Sequence, residues 1–131
     1  MNRFIELHDA TLLSLTFNQL PELLIHVCVH ESEGKAGVDS GISYYQNALL
    51  HFDPLLEFSL AGDITEEPWI DDGRSVANGA EHPNSIPEAQ QFDTFEIHAT
   101  LTNGSDFVLR AGRTTIEFVG ERSCIEKFPL R

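Results

Sequence analysis

The sequence predicts a mainly β fold, with a β-rich α+β arrangement as its nearest variant. Two observations carry that prediction: apolar residues recur with period two along most of the chain, and Pro, Gly and Asn punctuate the intervals. Together they imply about six or seven mostly antiparallel strands and about one short helix, as a sandwich, a curved sheet or a partly open barrel.

The elements follow in order. Leu13, Leu15 and Phe17 alternate with Ser14, Thr16 and Asn18, the mark of a half-buried strand. "NQLPE" then turns the chain at Pro21, and "ELLIHVCVH" is the clearest strand of all. It puts Leu23, Ile25, Val27 and Val29 on one face, and Leu24, His26, Cys28 and His30 on the other. These two strands are expected to form a hairpin. "ESEGKAGVDSG", from Glu31 to Gly41, is polar and glycine-rich and reads as a loop. "ISYYQNALLHF" and "LLEFSLA" read as two further strands parted by a turn at Asp53-Pro54.

Residues 62–91 differ. They carry Pro68, Pro83 and Pro87 and the acidic pairs Glu66-Glu67 and Asp71-Asp72, with little periodicity. They are expected to form a long, irregular, acidic and proline-rich insertion, with one short helix at "IPEAQQF". Strands resume with "DTFEIHATL", "DFVLRA" and "TTIEFVG". A two-residue Asn103-Gly104 turn would put Phe107 and Leu109 on the face opposite Phe95, Ile97 and Leu101. A three-residue loop, Thr102-Asn103-Gly104, pairs Ala99 with Phe107 and Ile97 with Leu109 instead, and sets Gly104 at a left-handed position. Burial decides register, so the three-residue loop is predicted.

At 131 residues and 41% hydrophobic content, the chain suits one globular domain spanning 1–131. Lys and Arg total 8 against 21 Asp and Glu, for a net charge of -13. That balance argues against nucleic acid and against anionic membrane surfaces, since both are held by Lys and Arg. It favours encounter with a basic protein partner. Cys28 and Cys124 are too few and too far apart for a disulfide framework, and fit free thiols in a reducing compartment. Glu6, His8 and Asp9 interrupt any secretory apolar stretch, and no apolar run approaches the ~20 residues of a membrane helix. A cytoplasmic protein is expected.

Several residues invite a chemical reading. His8-Asp9 is a familiar ligand pair, but neighbours on a strand point to opposite faces, so it is expected to begin a strand. His26, Cys28 and His30 share one strand face. Positions two apart lie ~7 Å from each other and can share a zinc ion, whereas all three span ~13 Å. A metal site would thus use a pair of them with distant ligands such as His51 or His98. "GVDSGI" echoes the aspartic-protease signature, but the upstream "EGKAG" is no apolar strand, so Asp39 reads as a loop residue. There is no G-x-S-x-G elbow, no HExxH and no phosphate-cradling glycine motif, so neither a nucleophile nor a cofactor is expected.

"EEPWIDDGR" is the remaining candidate. Trp69 and Ile70, framed by Glu66, Glu67, Asp71 and Asp72 and followed by Arg74, suit contact with a partner protein. The competing reading folds Trp69 and Ile70 back into the core.

"FIELHDATLLSLTFN" followed by "LLIHVCVH" resembles the start of small uncharacterised bacterial β-rich proteins grouped with polymorphic-toxin immunity proteins. The resemblance covers roughly the first thirty residues and rests on generic positions. It implies a non-enzymatic protein that binds and blocks a toxin, with no catalytic residues to carry over. The readings that remain beside it are a metal-binding protein or metal-dependent enzyme using the strand-face His and Cys residues, and a homo-oligomer whose exposed strands pair.

Overall fold

Strand β2 (Glu22–Ser32) alternates buried and half-exposed positions along its whole length. Leu23, Ile25, Val27 and Val29 reach the core, each at most 3% exposed, and the intervening side chains face outward. β-Branched residues pack well on such a pleated, half-buried surface. The computed structural model describes residues 2–32, 41–63 and 68–128. Within them, β1 (Asn2–Thr16) and β3 (Gly41–Ala61) flank β2 on either side, both antiparallel, and β1–β2 is the expected hairpin.

Six further strands complete the sheet: β4 (Ile70–Ala77), β5 (Ala80–Pro83), β6 (Ser85–Pro87), β7 (Gln91–Phe92), β8 (Phe95–Leu101) and β9 (Asp106–Phe128). The order β5-β4-β8-β9-β3-β2-β1-β6 is an open antiparallel path, with β7 added on β9. The sheet curls until β1 meets β4. Thr11 bridges Trp69, and the Leu12 N–H donates to the Pro68 carbonyl at 3.0 Å. Asn84 links the same two strands, donating its N–H to Gly73 and accepting from Leu7, each at 2.9 Å. The inner face of this curl holds the core, including Tyr44, Phe52, Phe95, Leu7, Leu50 and Leu109. Burying each such side chain contributes about 1.5–3 kcal/mol.

The all-β class agrees with the alternation in the sequence, but the nine strands and their boundaries differ from expectation. Asp53-Pro54 makes no turn: β3 runs through it, and the peptide is cis. The pairs Asp53↔Arg113 and Leu55↔Ala111 bracket the proline, leaving Gly112 opposite it. A Cβ on Gly112 would stand 2.9 Å from Pro54 Cδ. Two residues that each look like punctuation thus face one another inside a continuous ladder, which also joins "DFVLRA" to "TTIEFVG" as β9.

The expected short helix is absent, and no helix occurs among the described residues. "SIP" is instead β6 on β1, with Ile86 fully buried opposite Ile5. Edge strands tolerate proline because an outward N–H has no ladder partner to lose. Within 62–91, expected to be irregular, lie β4, β5 and β6, and Ile70, Ser75, Ala77 and Ile86 are buried. Glu66 and Glu67 lie outside the described residues, as does Asp39. The predicted loop after β8 is present: Ala99 pairs with Phe107, Ile97 pairs with Leu109, and Gly104 has φ 85°.

Candidate functional site

The outward face of β2 is polar because its neighbours are too. Cross-strand pairing sets the rows: Phe4, His30 and Ser43 form one, and Glu6, Cys28 and Tyr45 the next. The following row is Thr11, His26 and Asn47. Side chains directly opposite in antiparallel strands approach to within about 5 Å at Cβ, so each row is a set of physical neighbours.

One chemical cluster results. His30 Nε2 lies 3.7 Å from Cys28 Sγ and 3.6 Å from Glu6 Oε2. Among the described residues, Glu6, Cys28 and His30 are the trio whose ligand atoms all fall within 4.8 Å of one another. The other nitrogen of His30, Nδ1, is 2.6 Å from Ser43 Oγ, and the Phe4 ring sits 4.8 Å from the imidazole. Burial pushes the Cys28 thiol up to about 11, helped by the negative charges of Glu6 and Glu126. The trio is half-buried, so it opens to solvent.

The other histidines expected as ligands stand elsewhere. His26 Nδ1 is 2.9 Å from Asn47 Oδ1, and its ring stacks on Tyr45. His51 lies between Glu22 at 3.4 Å and Glu117 at 3.5 Å. His98 Nε2 is 2.8 Å from Glu96 Oε1, and Arg110 joins the same carboxylate. The hydrogen bond from His98 is the main cause that holds Glu96 below the ordinary carboxylate value. Glu6 was missed in the sequence because its role depends on hairpin register. The β1–β2 pairing could have pointed to it.

His8-Asp9 does not begin a strand. It occupies a bulge inside β1, between the pairs Glu6↔Cys28 and Thr11↔His26, with Asp9 at φ 65°. Short polar side chains tolerate that left-handed conformation. The His8 N–H donates to Asn84 Oδ1 at 2.7 Å, and Nδ1 is 2.6 Å from the Asp71 carbonyl oxygen. A carbonyl only accepts, so Nδ1 carries the proton. That bond, then the charge of Asp9, raises the His8 pKa.

The loop candidate divides in two. Ile70 is core, 1% exposed, while Trp69 is 53% exposed. Asp71 and Asp72 are exposed, and the ladder slips between Ile70 and Asp72, which frees the Asp71 carbonyl for His8. Arg74 pairs with Glu81 at 3.1 Å. An open concavity of about 400 Å³ adjoins them, lined by Asp72, Arg74, Glu81, His98, Thr100 and Asp106 among others. None of the trio Glu6, Cys28 and His30 lines it. Among the described residues, no helix is long and apolar enough to cross a membrane.

No protein-family model, curated protein or solved structure matches this chain.

Proposed function

We propose that the protein is a non-enzymatic binding module that engages a basic partner protein, in the manner of an immunity protein capping a toxin. The observation that carries this reading is Trp69: a large aromatic held 53% exposed on a framework fixed by its buried neighbour Ile70. Exposed aromatics of this kind anchor interfaces, and truncating such an anchor costs about 2 kcal/mol or more of binding energy. Asp71 and Asp72 flank it, and Asp72, Glu81 and Asp106 line the adjoining concavity. Glu66 and Glu67 belong to the same binding segment by sequence.

Charge bookkeeping supports the same partner. Several cations are engaged within the fold: Arg3 and Arg122 reach the buried Glu31, Arg110 bridges Glu57 and Glu96, and Arg74 holds Glu81. The net charge of -13 therefore stands as a field that draws in a basic surface and repels an acidic one.

The test is capture from native-source lysate on tagged protein, eluted across a salt gradient, beside the variant Trp69→Ala/Asp71→Asn/Asp72→Asn. A basic partner retained by the wild type, released by salt and lost in the variant is the expected result. Undiminished retention of every partner by the variant overturns the reading.

A further inference from the structure

We propose that Glu6, Cys28 and His30 form a divalent-metal site of the zinc class on the outer face of the β1–β2 hairpin. The site is independent of the rim around Trp69.

Geometry comes first. Zinc binds thiolate sulfur at about 2.3 Å and imidazole nitrogen or carboxylate oxygen at about 2.0–2.2 Å, so tetrahedral ligand atoms lie about 3.3–3.6 Å apart. The observed separations of 3.6 Å from His30 Nε2 to Glu6 Oε2 and 3.7 Å to Cys28 Sγ are close to those edges. The remaining edge lies within 4.8 Å, and Glu6, with its side chain 35% exposed, closes it by a rotamer adjustment. One sulfur, one nitrogen and one oxygen donor suit zinc better than magnesium or calcium, which take oxygen.

Orientation is the second observation, and it comes from a different strand. A metal-ligating histidine usually donates its other N–H to a fixed acceptor, which sets the tautomer. His30 has that acceptor: Ser43 Oγ, 2.6 Å from Nδ1, on its cross-strand partner in β3. With the proton on Nδ1, the Nε2 lone pair points towards the thiol and the carboxylate. Phe4 packs against the ring from β1. Ser43 is thus a positioning residue, and Glu6 and Cys28 are set opposite one another by strand pairing. Three protein ligands leave a fourth position, which the half-exposed setting gives to water.

Cobalt(II) reports on this site directly, since thiolate coordination adds a charge-transfer band in the near ultraviolet and tetrahedral geometry gives strong visible bands. The full chain, stripped of metal by chelator and dialysed, is titrated with Co²⁺ and then back-titrated with Zn²⁺. One equivalent of Co²⁺ per chain, with both bands abolished by Zn²⁺, is expected. Cys28→Ser removes the charge-transfer band, and Glu6→Gln or His30→Gln weakens binding at least about 10-fold. Ser43→Ala weakens it by about 10–100-fold, as loss of an outer-shell partner does, and Ser43→Thr restores it. Cys124→Ser leaves the titration unchanged, because that exposed thiol lies outside the trio. The proposal is overturned if the wild type shows no charge-transfer band. It is equally overturned if the band survives Cys28→Ser or disappears in Cys124→Ser. Ser43→Ala and Cys124→Ser keep the test decisive should a ligand variant fail to fold, which circular dichroism reports.

Discussion

Strands β2 and β4 both present polar side chains outward, yet they offer different chemistry. β2 lies inside the sheet, laddered to β1 and β3 along its length, so each outward side chain has a defined neighbour on both flanks. Cys28 therefore sits between Glu6 and Tyr45, and His30 between Phe4 and Ser43. β4 lies one strand from the end of the sheet, and β5 covers it only from Arg74 to Ala77. Its outer end, with Asp71 and Asp72, is exposed and irregular, and Trp69 precedes it. Paired interior strands fix side chains finely enough to hold a small ion. An exposed, irregular strand end offers instead a broad surface for a larger partner.

The largest expected effect breaks each strand at its inward face. Ile25→Ala and Ile70→Ala should each cost about 2–5 kcal/mol, because both side chains are 1% exposed and their removal leaves a cavity. Their outward neighbours, His26→Ala and Trp69→Ala, should change stability by only about 0.5 kcal/mol. Urea unfolding of the four variants checks this. A full-sized loss in Trp69→Ala would mean that the ring supports the fold, and the interface reading would lose its anchor.

A smaller effect sharpens the contrast between two turn glycines. Gly104 has φ 85° with open space where a Cβ would stand, so Gly104→Ala should cost only the left-handed penalty, about 1–2 kcal/mol. Gly62 has φ 118°, and a Cβ there would collide with the Ser105 side chain, so Gly62→Ala should cost more than Gly104→Ala. Equal midpoints in thermal unfolding would contradict that order.

The smallest effect concerns acid. The folded pKa of Glu96 lies below its ordinary value of 4.5, held down first by the His98 hydrogen bond and then by Arg110. A depressed carboxylate stabilises the fold above its unfolded pKa and loses that contribution as pH falls through the folded value. Glu96→Gln should therefore be less stable than the wild type at neutral pH, with the gap closing below pH 4.5. A gap that widens on acidification would reverse the sign.

Parts of both candidate sites were legible in the residues. The outward placement of His26, Cys28 and His30 follows from alternation, and the long separation of three alternate positions already excluded a site using all of them. Trp69 stood out as the one tryptophan framed by acids. Neither Glu6 nor Ser43 stood out, because each becomes a neighbour of His30 or Cys28 only through strand register. Ile70 and Trp69, read together in the sequence, are separated in the fold for a local reason. Neighbouring residues of an extended chain point opposite ways, so Ile70 at the start of β4 enters the core and Trp69 just before it faces solvent.

What the sequence by itself determined is local. The mainly β character, the two faces of β2, the β1–β2 hairpin and the loop at Gly104 all rest on period two and turn chemistry, which act over a few residues. Tertiary structure decided what depends on residues far apart in the chain. Pro54 passes through a strand because Gly112 faces it, and Ile86 becomes a strand residue because β1 offers an edge. The bulge at Asp9 and the bridge from Thr11 to Trp69 close the curl, and with it the rim beside the acidic concavity. Long-range pairing releases burial energy that overrides local signals, and no window of adjacent residues contains it.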